Sequence, residues 1–142
     1  MATATYLSNP TINITYSSTT TDFSDQCTSF EMMIQNDALE TTAFGDTGHR
    51  YSAGLSTVEA TMELFLSYGT GEVEALLWSY LGKEVTIVAS PSGTTESASN
   101  PEYTLTNMYL ESFTPINATV GEMSKVTVTF KGGNYARDIT NP

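Results

Sequence analysis

The side chains that most often perform catalysis are scarce in this chain of 142 residues. His49 is the only histidine and Cys27 the only cysteine, so a histidine cluster, a multi-cysteine metal site and an internal disulfide are excluded. The acidic residues do not follow the spacing of a calcium loop. No serine stands in the Gly-x-Ser-x-Gly context of a hydrolase nucleophile. We therefore expect no enzyme, no catalytic residue, no cofactor and no metal.

Glu59 and Glu63 are the pair of carboxylates whose spacing makes them candidates for acid–base catalysis. They lie between Thr57 and Leu66, where apolar and polar residues alternate, which predicts a strand. A helix is the alternative, because Ser56 and Glu59 have capping-box spacing. On a strand the two glutamates stand about 13 Å apart. Glycoside hydrolysis requires roughly 5–9.5 Å, so we interpret the pair as part of a solvated or interfacial face.

The chain is strongly acidic: 16 Asp and Glu against 5 Lys and Arg give a formal net charge of −11. Such a protein cannot hold nucleic acid by releasing counterions from phosphates, but a surface it presents can repel DNA. The alternative is that the charge only keeps a soluble domain apart from its neighbours. No apolar run approaches the ~20 residues of a membrane span, and the start at Met1 lacks the features of a signal peptide. We expect a cytoplasmic protein without membrane contact until assembly.

Hydrophobic periodicity predicts a mainly β (α+β) single domain over residues 1–142 with one helix. The helix is predicted at Glu72–Leu81, where apolar residues recur at i, i+3, i+4 and i+7. Gly71 is its expected N-cap, and Gly82 suits the left-handed position that ends a helix. The predicted strands are Cys27–Gln35, Thr57–Leu66, Glu84–Ser90, Tyr103–Phe113 and Lys125–Lys131.

The remaining segments show no sustained period. Residues 1–21, with two short alternating runs, are expected to be an N-terminal arm or an edge strand. Residues 36–54 are expected to be a long loop, which is uncommon in a compact domain and usually functional. Residues 91–101 form a predicted polar loop, and residues 132–142 a polar C-terminal tail.

Several stretches after residue 30 resemble the tail tube (major tail) proteins of long-tailed, siphovirus-like bacteriophages. The resemblance is carried by Asp37 to Asp46 running on through Arg50 to Leu55, by Asn100-Pro101-Glu102-Tyr103, by Leu110 to Pro115, and by Val120-Gly121-Glu122 leading to Val126–Phe130. It implies a β-sandwich or flattened barrel of antiparallel strands with one flanking helix and a long loop.

The resemblance also implies an assembly. Six subunits would join their sheets into a ring, and rings would stack through the long loop and the terminal arms. DNA would pass through the channel without specific binding, together with the tape measure protein, and tail terminator or baseplate proteins would be further partners. The protein would be assembled in the host cytoplasm and reside in the virion tail.

Two sets of residues carry this expectation. Glu31, Glu59, Glu63 and Glu111 would line the channel, where a ring multiplies each carboxylate. Phe44, Asp46, Arg50 and Tyr51 would make contacts between subunits or rings, with Arg50 meeting a carboxylate of the next ring. A plain surface loop is the alternative interpretation of residues 36–54.

Two rival functions remain open on the sequence alone. The nearest is another phage structural protein, a capsid decoration or head–tail joining protein, since those are also small, acidic and rich in strands. The other is a carbohydrate-binding β-sandwich. Trp78 falls on the predicted helix, so no exposed aromatic platform is expected on the strands.

Overall fold

The computed structural model describes residues 10–91 and 100–139. Within them the chain forms eight strands and one helix, which confirms the predicted mainly β fold. In chain order these are β1 Thr11–Tyr16, β2 Thr19–Asp22, β3 Cys27–Glu40, β4 Tyr51–Phe65, α1 Val73–Tyr80, β5 Glu84–Ser90, β6 Glu102–Leu110, β7 Lys125–Gly132 and β8 Asn134–Asp138.

All eight strands belong to one antiparallel sheet. The order is β2-β1-β5-β6-β7-β4-β3, and β8 pairs with β6. The sheet is curled. An open cavity of about 460 Å³ is lined by Phe30 and Met32 of β3, at one end of the strand order, and by Ile12 and Ala89, near the other end. The two ends of the sheet therefore face each other across the core, as in a flattened barrel that is not closed.

One face of this sheet supplies the core. Val58, Ala60, Met62 and Leu64 of β4 are fully buried, as the alternation from Thr57 to Leu66 predicted. Burial of a whole aliphatic side chain contributes about 1.5–3 kcal/mol. The same face of the other strands adds Ile12, Ile14, Val85, Ile87, Ala89, Leu105, Met108, Leu110, Val126, Val128 and Phe130.

Helix α1 covers the core face of the sheet. Val73, Leu77 and Tyr80 are buried, and the Tyr80 ring packs edge-on against the ring of Tyr16 with centroids 5.6 Å apart. Gly82 has a φ of +75°, which confirms the left-handed position expected after the helix. The N-cap, however, is Glu72 and not Gly71. The helix exposes its other side, including Trp78, away from the sheet.

The segment at residues 1–21, expected to be an arm or edge strand, forms one inner strand and the start of one edge strand where it is described. β1 lies inside the sheet between β2 and β5, and Ile12 and Ile14 are 1% and 0% exposed. Ser17 and Ser18 have φ of 52° and 66°, so they form a tight turn that folds β2 back on β1. β2 is an edge strand of the sheet. Residues 1–9 lie outside the described part of the chain.

The expected loop at residues 36–54 is largely a β-hairpin. β3 continues to Glu40 and β4 begins at Tyr51, so only residues 41–50 connect them. Both strands are exposed on both faces here, which removes the apolar alternation that would have marked them in the sequence.

The expected polar tail from residue 132 is also paired. β8 continues the register of β7 and pairs with Glu102–Thr106 of β6. All five residues of β8 are exposed, so no apolar period signalled the strand. Residues 92–99, in the predicted polar loop, and 140–142 lie outside the described residues.

Candidate functional site: an acidic sheet face and a projecting hairpin

The outer face of β3, β4 and β7 carries the carboxylates that the sequence singled out. Glu59 and Glu63 alternate with fully buried residues of β4, so both point away from the core. Strand register places Glu31 opposite Thr61, which lies between them on the same face. Glu111 follows β6 and reaches the same surface through Lys131 of β7. We call Glu31, Glu59, Glu63, Glu111, Lys125 and Lys131 the acidic face.

The acidic face also contains two lysines, Lys125 and Lys131, which the sequence analysis did not assign to it. The Nζ of Lys125 lies 3.8 Å from Oε1 of Glu63, and the Nζ of Lys131 lies 3.4 Å from Oε2 of Glu111. The Thr28 hydroxyl also donates to Oε1 of Glu63 at 2.8 Å. The face therefore holds four carboxylates and two ammonium groups, a net charge of −2. Because these pairs are half exposed, each stabilises the fold by about 0–1 kcal/mol.

Among the described residues, β2 and β3 end the strand order and lack a partner on one side, and the short β8 pairs with β6 alone. β2 is a four-residue edge, whereas β3 is an edge of 14 residues that pairs with β4 alone. β3 contains no lysine and no proline. Natural monomers usually protect a long edge with such residues, because its free N–H and C=O groups accept another strand.

The hairpin projects beyond the sheet. β4 pairs with β7 only over Val58–Phe65, so its first residues pair with β3 alone. From Gln35 to Ala53 every residue except Asp46 is exposed. We call residues 36–56 the hairpin arm. Its large apolar residues are exposed as well: Leu39 55%, Phe44 109%, Tyr51 62% and Leu55 80%.

The tip of the hairpin arm is held by its own polar contacts. The amide N–H of Ala43 donates to Oδ2 of Asp46 at 2.8 Å, and the amide N–H of Arg50 donates to the Thr42 hydroxyl at 2.9 Å. Gly45, with a φ of +94°, completes the turn next to Phe44. The exposed ring of Phe44 is therefore presented by an ordered turn.

Asp46 and Arg50 already have partners within the tip. NH1 of Arg50 lies 3.7 Å from Oδ1 of Asp46. The Asp46 side chain is only 21% exposed, so we assign it to shaping the turn. Arg50 is 71% exposed and its pair is a weak surface contact, which leaves the guanidinium available to a second partner.

A second exposed apolar surface lies at the opposite end of β4, and the sequence reasoning missed it. The Leu66 N–H donates to the Ser124 carbonyl at 2.9 Å, and the Tyr68 hydroxyl donates to the Pro115 carbonyl at 2.8 Å. These bonds fix residues 114–124, which we call the end loop, beside the last residues of β4. The end loop exposes Ile116 75%, Val120 102% and Met123 74%. Scattered apolar residues in a polar connection gave no periodic signal.

An open cleft separates the end loop from the acidic face. Its volume is about 610 Å³, and its walls include Phe65, Met123, Glu63, Glu122 and Lys125. The side-chain amide of Asn117 donates to the Lys125 carbonyl at 2.8 Å and ties the loop to β7. The cleft is thus partly apolar and contains two carboxylates and one lysine.

The groups that could do other chemistry are not assembled into a site. Nδ1 of His49 contacts Oε2 of Glu40, and both side chains are exposed on the hairpin arm. Burial raises the pKa of the Cys27 thiol, which donates to the Ser29 carbonyl at 3.1 Å, so the thiol is protonated near neutral pH. Among residues 10–91 and 100–139, no group of His, Cys, Asp and Glu has the arrangement of a metal site, and no helix is long and apolar enough to cross a membrane.

Comparison with known proteins gives a likeness of fold. No protein-family model and no curated protein sequence matches this chain. A chain of the anti-feeding prophage tube-terminating cap is similar, with a TM-score of 0.64 and 15% identity over 99% of this chain and 95% of that one. A chain of the six-fold symmetric tail of a gene transfer agent particle has a TM-score of 0.61 and 7% identity, over 96% and 99%. A chain of the anti-feeding prophage baseplate has a TM-score of 0.61 and 10% identity, over 96% and 97%. This chain has the fold of those tail, baseplate and cap components.

Proposed function

We propose that this protein is a structural subunit of a phage-like tail that self-assembles into stacked hexameric rings forming the tail tube. The observation that carries the proposal is a curled sheet whose terminal strands β2 and β3 are unpaired on one side and whose acidic face is uncovered. The similarity of fold to chains of a six-fold symmetric tail and of a tube-terminating cap supports it.

Edge pairing between copies closes the ring. The long edge of β3 is free to pair with the β2 side of a neighbouring copy, or to pack against it, and the contact is heterologous because the two edges differ. A heterologous contact repeated around a rotation axis closes into a ring, and closure removes the exposed edges. Six copies per turn is the number that the fold likeness favours.

The acidic face lines the channel in this arrangement. Glu31, Glu59, Glu63 and Glu111 then recur in every subunit, and a net of −2 per copy gives −12 per ring for these residues with their two lysines. Screening at physiological salt acts over about 8 Å, so the wall repels DNA at contact range. DNA passes without specific binding, and helix α1 with Trp78 faces the outside of the tube.

The hairpin arm carries the contact between rings. Phe44 and Tyr51 are exposed anchors of the kind that dominate interface energies, and Arg50 supplies a charge contact. A tape measure protein inside the channel and terminator and baseplate proteins at its ends are the further partners. The protein acts in the virion tail after assembly in the host cytoplasm.

A second candidate is a component that forms one ring at a tube end. The likeness to the tube-terminating cap favours it, because that chain is matched over nearly its whole length. A terminating ring needs one surface that stops addition, whereas a tube subunit needs two different surfaces that fit each other. The exposed hairpin arm at one end and the exposed end loop at the other favour the tube subunit.

Negative-stain electron microscopy of the concentrated purified protein separates the two. Rods built of six-fold rings are expected for a tube subunit. Single rings that never lengthen identify the terminating component. Monomers at every concentration, with no ring in either form, contradict both functions.

A further inference from the structure

The two ends of strand β4 carry surfaces of opposite shape. At one end the hairpin arm presents the exposed ring of Phe44 on an ordered turn. At the other end the end loop borders an open cleft of about 610 Å³. The two surfaces are separated by the 15 residues of β4, or about 50 Å at 3.3 Å per residue.

Resting on the proposed function, we propose that the cleft beside the end loop is the receptor for the hairpin tip of a second copy of this chain in the next ring. Phe44 enters the cleft and packs against Phe65 and Met123, which line it. The contact joins different surfaces of the two copies, so it repeats without closing and propagates a rod.

The chemistry of the cleft fits that occupant. Phe44 and Met123 are 109% and 74% exposed, and their contact removes apolar area from water on both copies. A methionine sulfur beside an aromatic ring adds a favourable contact. A phenyl ring on a turn that is already ordered loses little conformational freedom on docking.

The charges of the cleft agree with a guanidinium as the second contact. Lys125 pairs with Glu63, and within the described residues Glu122 has no ion pair, so the cleft keeps one uncompensated carboxylate. Arg50 stands on the same tip as Phe44 and is 71% exposed. We assign Arg50 of one copy to Glu122 of the next.

Cysteine pairs between separate copies test the placement. In a Cys27→Ser background shown to form the same rods, a Phe44→Cys protein is mixed with a Met123→Cys protein and oxidised. Copies held in contact react at a high effective concentration, so the mixed product exceeds that of the control pair Phe44→Cys with Trp78→Cys by roughly tenfold. Trp78 is the control because it is similarly exposed, at 66%, on the outer helix.

Charge reversal gives a second readout. Arg50→Glu or Glu122→Arg alone is expected to raise the protein concentration needed for rods by roughly tenfold, and the double variant to restore it. If Arg50→Glu acted only by removing the Arg50–Asp46 contact within the tip, adding Glu122→Arg would not restore rod formation.

The outcomes separate this inference from the proposed function. If rods form but the crosslink joins two Phe44→Cys copies, or matches the Trp78→Cys control, the receptor assignment is wrong and the tube function stands. The absence of any rod from the unaltered protein overturns both.

Discussion

At the scale of single residues, the glycines at the end of β7 show how closely two backbones approach. A Cβ placed on Gly133 would lie 2.8 Å from the Ser56 carbonyl oxygen, and one on Gly132 would lie 2.7 Å from the Met108 sulfur. The Ser56 hydroxyl donates to the Gly133 carbonyl at this crossing. β7 pairs with β4, and β8 after it pairs with β6. The chain can make this change of partner only because Gly132 and Gly133 have no side chain.

Gly133→Ala is expected to lower the free energy of unfolding by about 1–3 kcal/mol, because the clash is with backbone that cannot rotate away. Urea denaturation at fixed pH measures it. The matched control is Gly48→Ala, since a Cβ there meets nothing within 4 Å and its φ is not positive. Equal stability of the two variants would show that the crossing is looser than described.

Residue identity also explains why the sequence predicted neither the β1–β2 hairpin nor the Arg50–Asp46 contact. The turn between β1 and β2 needs positive φ at two positions, which Asn-Gly usually supplies, whereas here Ser17 and Ser18 adopt it. No local signal marked that hairpin. Arg50 was predicted to contact another subunit, and its Asp46 contact within the tip depends on a turn that spacing alone does not reveal.

At the scale of elements, buried periodic segments were predictable and exposed ones were not. β5 was predicted with its observed bounds, and β7 and α1 within one residue at each end, because each alternates or repeats against the core. The outer half of β3, the first residues of β4 and all of β8 are strands whose residues are largely exposed on both faces. These segments are strands because they pair with neighbouring strands, and a local stretch of sequence carries no signal of that pairing.

The predicted acidic residues share a face for the same reason. Period-two alternation placed Glu59 and Glu63 opposite the core, and register then added Glu31. The end loop had no period and was missed, although it holds the exposed Ile116, Val120 and Met123.

Shortening the hairpin arm should separate folding from stacking. Glu40 and Tyr51 are register partners, so replacing residues 41–50 by Asn-Gly closes the strands with a two-residue turn. The removed residues contribute nothing to the core, and we expect the urea midpoint to be nearly unchanged while rods are replaced by single rings.

Negative-stain images of the shortened protein at the concentration that gives rods measure the effect. A variant with Trp78→Ala on the outer helix serves as control and should still form rods. Normal rods from the shortened protein would exclude the hairpin tip from the contact between rings.

At the scale of the whole molecule, the proposed tube makes a prediction about the charge of its channel wall. Glu31→Lys with Glu59→Lys changes the formal net charge of each subunit from −11 to −7, since each substitution adds two units. Glu72→Lys with Glu74→Lys makes the same change at the start of α1, on the other side of the sheet, where Glu72 is exposed and Glu74 is partly exposed. The two variants therefore make the same change of net charge on different surfaces.

We expect rods of the first variant to retain short duplex DNA in a salt-dependent manner, and rods of the control to retain none inside the channel. Cosedimentation of labelled duplex with rods across a salt series measures it, with nuclease protection reporting whether the DNA is enclosed. Retention by the control alone would place the acidic face outside the tube.

The central claim is that identical copies join the edges of one curled sheet around the face that carries Glu59. The most direct measurement is a three-dimensional reconstruction of the assembled protein by electron cryomicroscopy. The account predicts six copies per ring, strand β3 against the neighbouring subunit, Glu31, Glu59 and Glu63 on the channel wall, and α1 outside. Rings in which α1 lines the channel, or an assembly without a channel, would contradict it.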